Sequence, residues 1–217
     1  MTKLEKIHIK GEAGNLQGAW HAVPESTDVL IICHPHPLYD GTMDNKVVTT
    51  LARTYLDLGV NVLRFNFRGV GQSDGQYGDI SGEVQDCKSA LKWLLEHYDI
   101  KRLFLAGFSF GAYVAAKVAF DLKADFPSLH MEHLLLVAPS VINSPFENAT
   151  PLVCPTTVVM GGQDEVVPYQ EVSDWSDALY PPAQFIELPD ASHFFHGQLV
   201  VLKREIKACL AAHITTE

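Results

Sequence analysis

Two hydrophobic rhythms alternate along the chain. The opening stretch "KIHIKGEAGNLQGAWHAV" sets polar against apolar residues with a period of two, broken by Gly and Asn, and predicts a hairpin. "DVLIIC" (28–33) is a continuous apolar run, as expected for a strand covered on both faces. The rhythm then changes: Val47, Val48, Leu51, Tyr55 and Leu58 recur at helical spacing, with Asp44 or Asn45 as cap and Gly59 as terminator. "VNVLRFN" returns to strand, and a glycine-rich loop, "FRGVGQSDGQYGD", follows it. Ile80, Val84, Cys87, Leu91, Leu94 and Tyr98 then share one face of a helix.

The second half repeats the pattern. "RLFLAG" predicts a strand and "FGAYVAAKVAFDL" a helix. "HLLLVA" (133–138) and "TTVVMG" (156–161) predict strands, "YQEVSDWSDALY" a helix, "AQFIELP" a strand, and a helix near 197–212 closes the chain. Strand–helix alternation of this kind implies an α/β fold, a mostly parallel central sheet with helices on both faces. Right-handed crossovers would bring the loops after the strand C-termini to one edge, where sites in open α/β sheets lie. No repeat, linker or low-complexity tract interrupts residues 1–217, which suggests a single domain.

Composition narrows the function. A formal net charge of −10 with scattered Lys and Arg argues against nucleic acid and anionic membrane surfaces as partners. No apolar run reaches the roughly 18 residues of a membrane span, and "MTKLEKIHIK" lacks the apolar block of a signal peptide, so a cytoplasmic location is expected. The cysteines, Cys33, Cys87, Cys154 and Cys209, are far apart and read as reduced core residues.

Candidate chemistry begins at Gly107-Phe108-Ser109-Phe110-Gly111, a G-x-S-x-G motif. Three fixed positions match by chance roughly 0.07 times in a chain of this length, so the surroundings decide. Here the motif follows an apolar strand and opens an Ala-rich helix, the context in which a strained turn projects a serine above a sheet. A Cβ at position 107 or 111 would collide with neighbouring backbone. A serine hydroxyl needs a base, and on this architecture the order is Ser, acid, His. His193, His196 and His213 qualify by order. His193 in "PDASHFF" falls in the loop after the last strand, His196 near the start of the closing helix, and His213 in the tail, which favours His193. Asp164 in "GGQDEVVP" is the favoured acid, with Glu165 and Asp190 as rivals; Asp190 reads as a turn residue after Pro189.

Acyl transfer also needs oxyanion donors. The N–H of Phe110 is one. The second is expected from "HPHPLYDGTMDN", where Pro35 and Pro37 have no N–H and His34, His36 and Leu38 remain, with His36 best placed. A metal held by His34, His36 and Asp40 or Asp44 is the competing reading of that segment. Leu38, Tyr39, Phe108, Phe110, Phe194 and Phe195 are candidate cleft linings, and for many of them ordinary packing is the competing account. In the glycine-rich loop no G-x-x-x-x-G-K-[ST] appears, so Arg68 and Asp74 read as loop supports.

Together "HPHPLYDGTMDNKVV", "LRFNFRGVGQSDG", "GFSFGA", "GGQDEVVP" and "SHFFHG" resemble the α/β-hydrolase superfamily across essentially the whole chain, in particular its compact capless bacterial serine hydrolases and esterases. The resemblance implies Ser109 as nucleophile, Asp164 as acid, His193 as base, and His36 and Phe110 as oxyanion donors. One departure is His34-Pro35, where many relatives carry H-G. The segment "PSVINSPFENATPLVCP" is too short for a helical cap, which implies an open cleft and a preference for short or exposed acyl groups. The expected activity is hydrolysis of a small-molecule acyl ester without a cofactor. A thioesterase would use the same residues, a peptidase or a non-catalytic binding protein is the remoter alternative, and no oligomeric state follows from the sequence.

Overall fold

The computed structural model describes residues 3–214. A hairpin of β1 (Lys3–Gly11) and β2 (Gly14–Ala22) opens it. Then come β3 (Asp28–Cys33), α1 (Lys46–Leu56), β4 (Asn61–Phe65), α2 (Ser81–His97), β5 (Arg102–Phe108) and α3 (Phe110–Asp125). The last third holds β6 (Met131–Val137), β7 (Thr156–Gly161), α4 (Tyr169–Asp177), β8 (Gln184–Leu188) and α5 (Leu199–Leu210). The sheet runs β1-β2-β4-β3-β5-β6-β7-β8; β1 and β2 are antiparallel to each other, β2 is antiparallel to β4, and the remaining pairs are parallel.

Topology places the site. From β3 the chain crosses through α1 to β4 on one side, then through α2 to β5 on the other, and afterwards moves steadily outward to β8. Right-handed crossovers in opposite directions put α1 and α2 on opposite faces; accordingly α1 packs with α5, and α2 with α3. The reversal makes the crevice between the C-ends of β3 and β5 a switch point, where ligands bind in open α/β sheets. Both strands are buried along almost their whole length.

The predicted elements appear with shifted ends. Asn45, not Asp44, caps α1: its Oδ1 accepts the Val47 N–H at 2.8 Å. α4 stops at Asp177 rather than Tyr180. His196 lies in a turn before α5 and takes no part in the helix. His213 is tied down: its carbonyl accepts from Arg102 Nη1 at 3.0 Å and its ring lies 4.6 Å from that of His133.

The glycine-rich loop after β4 is pegged from both sides. Gln17 Oε1 on β2 accepts from Asn66 Nδ2 at 2.8 Å and from the Gln72 N–H at 2.9 Å. Ser73 Oγ accepts the Gln17 N–H at 2.9 Å, and Asp74 accepts the Asn15 N–H at 2.8 Å. From α2, the buried Asp86 carboxylate accepts from Arg68 Nε with both oxygens, from Arg68 Nη2 with Oδ1, and from the Arg68 backbone N–H with Oδ2. Burial of such a charge is tolerable because every oxygen is paired.

Candidate active site

Ser109 stands at the turn between β5 and α3 with φ 54° and ψ −117°, a region that costs a non-glycine residue about 1–3 kcal/mol. The neighbouring glycines make the turn sterically feasible. A Cβ at Gly107 would come within 2.0 Å of the Gly111 carbonyl oxygen, and one at Gly111 within 2.3 Å of the Cys33 oxygen. Backbone thus touches backbone on both sides of the serine, pressing the start of α3 against the end of β3.

Asp164 and His193 arrive on loops stitched to each other. The Gly162 N–H donates to the Leu188 carbonyl and the Gln163 N–H to the Ala191 carbonyl, both at 2.9 Å. Gly161 lies so close to Ala191 that a Cβ would meet its oxygen at 2.4 Å. The Asp164 carboxylate is fully buried; Oδ1 accepts the N–H groups of Val166 and Val167 at 2.9 and 2.7 Å. Its other oxygen, Oδ2, lies 2.8 Å from His193 Nδ1, and His193 Nε2 lies 3.1 Å from Ser109 Oγ. With Nδ1–H donated to the carboxylate, Nε2 is the acceptor facing the hydroxyl. The three candidate residues are therefore brought into one hydrogen-bonded series.

On the other side of Ser109, the loop after β3 folds over Phe110. The rings of His36 and Phe110 are 4.7 Å apart. In this loop the Leu38 N–H is taken by His36 Nδ1 and those of Tyr39 and Gly41 by the His36 carbonyl. Among the described residues, no hydrogen bond engages the N–H of His36 or Phe110. His34 is structural: its Nδ1 bonds the Pro35 carbonyl at 2.6 Å and its Nε2 accepts the Phe67 N–H at 3.0 Å. Burial lowers its pKa to about 4, so it is neutral and both nitrogens are used within the fold. This occupancy removes His34 from the metal reading of the segment.

The lining residues divide. Leu38 and Tyr39 are exposed at the rim, and Phe194 is 38% exposed. Phe108 corrects the expectation that it lines the cleft: it is fully buried, its ring 5.1 Å from the His193 imidazole, and it backs the histidine instead of meeting substrate. Phe195 is likewise fully buried. Position i−1 to the serine still belongs to β5, and its side chain turns down into the core.

Two contributors escaped the sequence reading. Glu165, a rival to Asp164 by spacing, supports the base instead: its Oε2 accepts the backbone N–H of His193 at 3.1 Å. Tyr77, from the glycine-rich loop, lies 5.1 Å from the His36 ring and 6.3 Å from that of Phe110. Its signal was an aromatic residue in an otherwise polar loop following a strand C-terminus, the edge where the site was expected.

A model for "Serine aminopeptidase, S33" matches residues 29–153. The chain belongs to that family, within the α/β-hydrolase superfamily. An α/β serine hydrolase homologue from Coxiella burnetii is 44% identical, with a TM-score of 0.89 over 97% of this chain and 99% of its own. An α/β serine hydrolase without lid from Xanthomonas campestris is 33% identical, with a TM-score of 0.88 over 99% and 97%. An uncharacterized protein of Rickettsia prowazekii (strain Madrid E) is 31% identical over 88% of this chain and 82% of its own length. The protein is thus a serine hydrolase of the lidless kind. Between β6 and β7 the chain makes only a short 3-10 turn at Phe146–Ala149 and no cap. No described helix is long and apolar enough to cross a membrane.

Proposed function

We propose that this serine hydrolase cleaves carboxylic esters with short or exposed acyl groups through an acyl-serine intermediate. The observation carrying this reading is the unbroken series from the buried Asp164 carboxylate through His193 to Ser109 Oγ. His193 Nε2 takes the hydroxyl proton as Oγ attacks the carbonyl carbon, and the imidazolium is held by Asp164 through Nδ1–H. The carbonyl oxygen, now negative, accepts from the N–H groups of Phe110 and His36. Collapse breaks the bond to the leaving oxygen, which departs with the proton from Nε2. Water then gives its proton to Nε2 and attacks the acyl carbon, and Ser109 regains its hydrogen. Every proton moved in this scheme has a protein group or water to receive it.

The absence of a cap and the exposed Leu38 and Tyr39 at the rim favour acyl groups that need no enclosed tunnel. The test is a set of initial rates on p-nitrophenyl esters and acyl-CoA thioesters from acetyl to palmitoyl, with Ser109→Ala as blank. Aminoacyl anilides form a further series, because the matching family model is described as a serine aminopeptidase. Saturable ester turnover that vanishes in Ser109→Ala, with a short-chain optimum, is expected. Faster thioester or anilide turnover would move the activity to that bond, and equal inertness of both proteins would refute the reading.

A further inference from the structure

The return of the proton to the leaving group fixes where the alcohol half of an ester must lie. His193 Nε2 has to reach the departing oxygen while still close to Ser109 Oγ, 3.1 Å away. The carbonyl oxygen meanwhile points to Phe110 and His36. The leaving alcohol therefore extends past the histidine, and Phe194, the next residue along, borders a cleft. Its volume is about 270 Å³, and Thr42, Asp44, Asn45, Lys46, Phe194 and His196 line it.

Phe194 forms the wall nearest the chemistry, its ring 5.0 Å from the His193 imidazole, and the His196 ring stacks with it at 5.9 Å and 29°. The opposite wall is the start of α1. There most polar atoms are already committed. Asn45 Oδ1 holds the Val47 N–H, and Thr42 Oγ1 accepts the Asp44 N–H at 3.3 Å. The Asp44 carboxylate is neutralised by Arg64 Nη1 at 2.8 Å. Among the described residues this leaves the Lys46 ammonium, the His196 ring, Asn45 Nδ2 and the outer Asp44 oxygen without an intrachain hydrogen bond or ion pair, and of these Lys46 carries the positive charge. Lys46 is a cation with three donors, and the His196 ring supplies at least one N–H.

Resting on the ester-hydrolase reading above, we propose that this cleft is a leaving-group subsite that selects esters whose alcohol carries an anionic group, a carboxylate or a phosphate. Lys46 and His196 take the anion, and Phe194 covers the short apolar stem joining it to the reacting oxygen. Phe194 is the one hydrophobic side chain among the described residues lining the cleft, so a long neutral alkyl alcohol gains little there.

The test compares meta-acetoxybenzoate, its neutral methyl ester and meta-acetoxyphenyl phosphate, which share an acyl group and an aryl-oxygen leaving atom. Wild type should favour the anionic members. The ratio of kcat/KM for anionic over neutral ester should fall roughly threefold in His196→Gln and about tenfold in Lys46→Glu, as exposed charge pairs allow. Added salt should lower the wild-type ratio. Lys123→Glu, the same charge change on the exposed end of α3, should leave it alone. Which anion is preferred separates a carboxylate from a phosphate source. A wild-type ratio at or below one, or a ratio untouched by Lys46→Glu, overturns the proposal. If no ester is turned over, the ester reading fails, and the subsite is judged separately by binding. Ser109→Ala should then bind meta-hydroxybenzoate more tightly than meta-hydroxybenzamide, and Lys46→Glu added to it should abolish the difference. Equal affinities in both proteins would overturn the subsite.

Discussion

Replacing Gly111 by Ala tests how far activity depends on the contact between the serine turn and the loop after β3. The added Cβ would lie 2.3 Å from the Cys33 oxygen and 2.5 Å from that of His34, about 1 Å inside ordinary contact, which begins near 3.4 Å. Both neighbours are backbone and neither can swing aside, so the loop carrying His36 must move relative to the turn carrying Phe110. Gly111 lies within α3, where Ala gains about 1 kcal/mol in helix propensity. Overpacking costs about 1–3 kcal/mol, so the net loss of stability is at most about 2 kcal/mol. For a chain of this size that lowers Tm by no more than about 8 °C. Activity should suffer more, because separating the two N–H groups removes one oxyanion donor, and that costs about 10²–10³ in kcat. Calorimetry alongside kcat and KM on the best ester separates the two effects. A kcat within threefold of wild type in a folded protein would refute the proposed donor pair.

Other consequences are as specific. Asp164→Asn keeps an acceptor for Val166 and Val167 but turns an amide N–H toward His193 Nδ1; the ring then carries its proton on Nε2, and kcat should fall about 10⁴-fold with Tm little changed. Glu165→Ala should lower kcat several-fold by freeing the His193 backbone N–H, and Glu165→Gln should restore most of it; identical rates in all three proteins would dismiss the contact. Burial holds His34 near a pKa of about 4 and His133 near about 3, both below the usual 6.5. The unfolded chain therefore binds more protons between those values, and stability that is complete above pH 6.5 is lost as pH falls toward 4. Each histidine contributes about 1.4 kcal/mol per pH unit in that window. Urea midpoints at pH 7 and pH 5 should differ accordingly, His34→Gln should roughly halve the difference because His133 keeps its share, and an unchanged midpoint in wild type would contradict the assignment.

The fold was legible because strands buried on both faces announce themselves as unbroken apolar runs, and amphipathic helices by spacing. Ser109 was legible for the same reason: the glycines around it report a steric demand of backbone on backbone, which is a local property. Asp164 and His193 could be nominated from their loops, since topology alone brings those loops to one edge. What stayed hidden depends on side-chain direction. Nothing local tells that Phe108 points into the core or that Glu165 bends back to a residue 28 positions away. The role of His34 was hidden likewise, because its partner Phe67 belongs to the next strand's loop.

The pegs between the amino-terminal hairpin and the glycine-rich loop have a kinetic consequence. Tyr77, against His36 and Phe110, is presented by a loop whose fastenings to β2 join residues 49–59 positions apart. The hairpin lies at the sheet margin, where β1 pairs with β2 alone. Margins with few partners open first. Partial opening there would undo the β2 fastenings and leave the loop held from α2 alone while the parallel core remains folded, so in rising urea turnover should decline before the far-ultraviolet circular dichroism does. In refolding, the same long-range fastenings close late, and catalytic competence should return only after the secondary structure has.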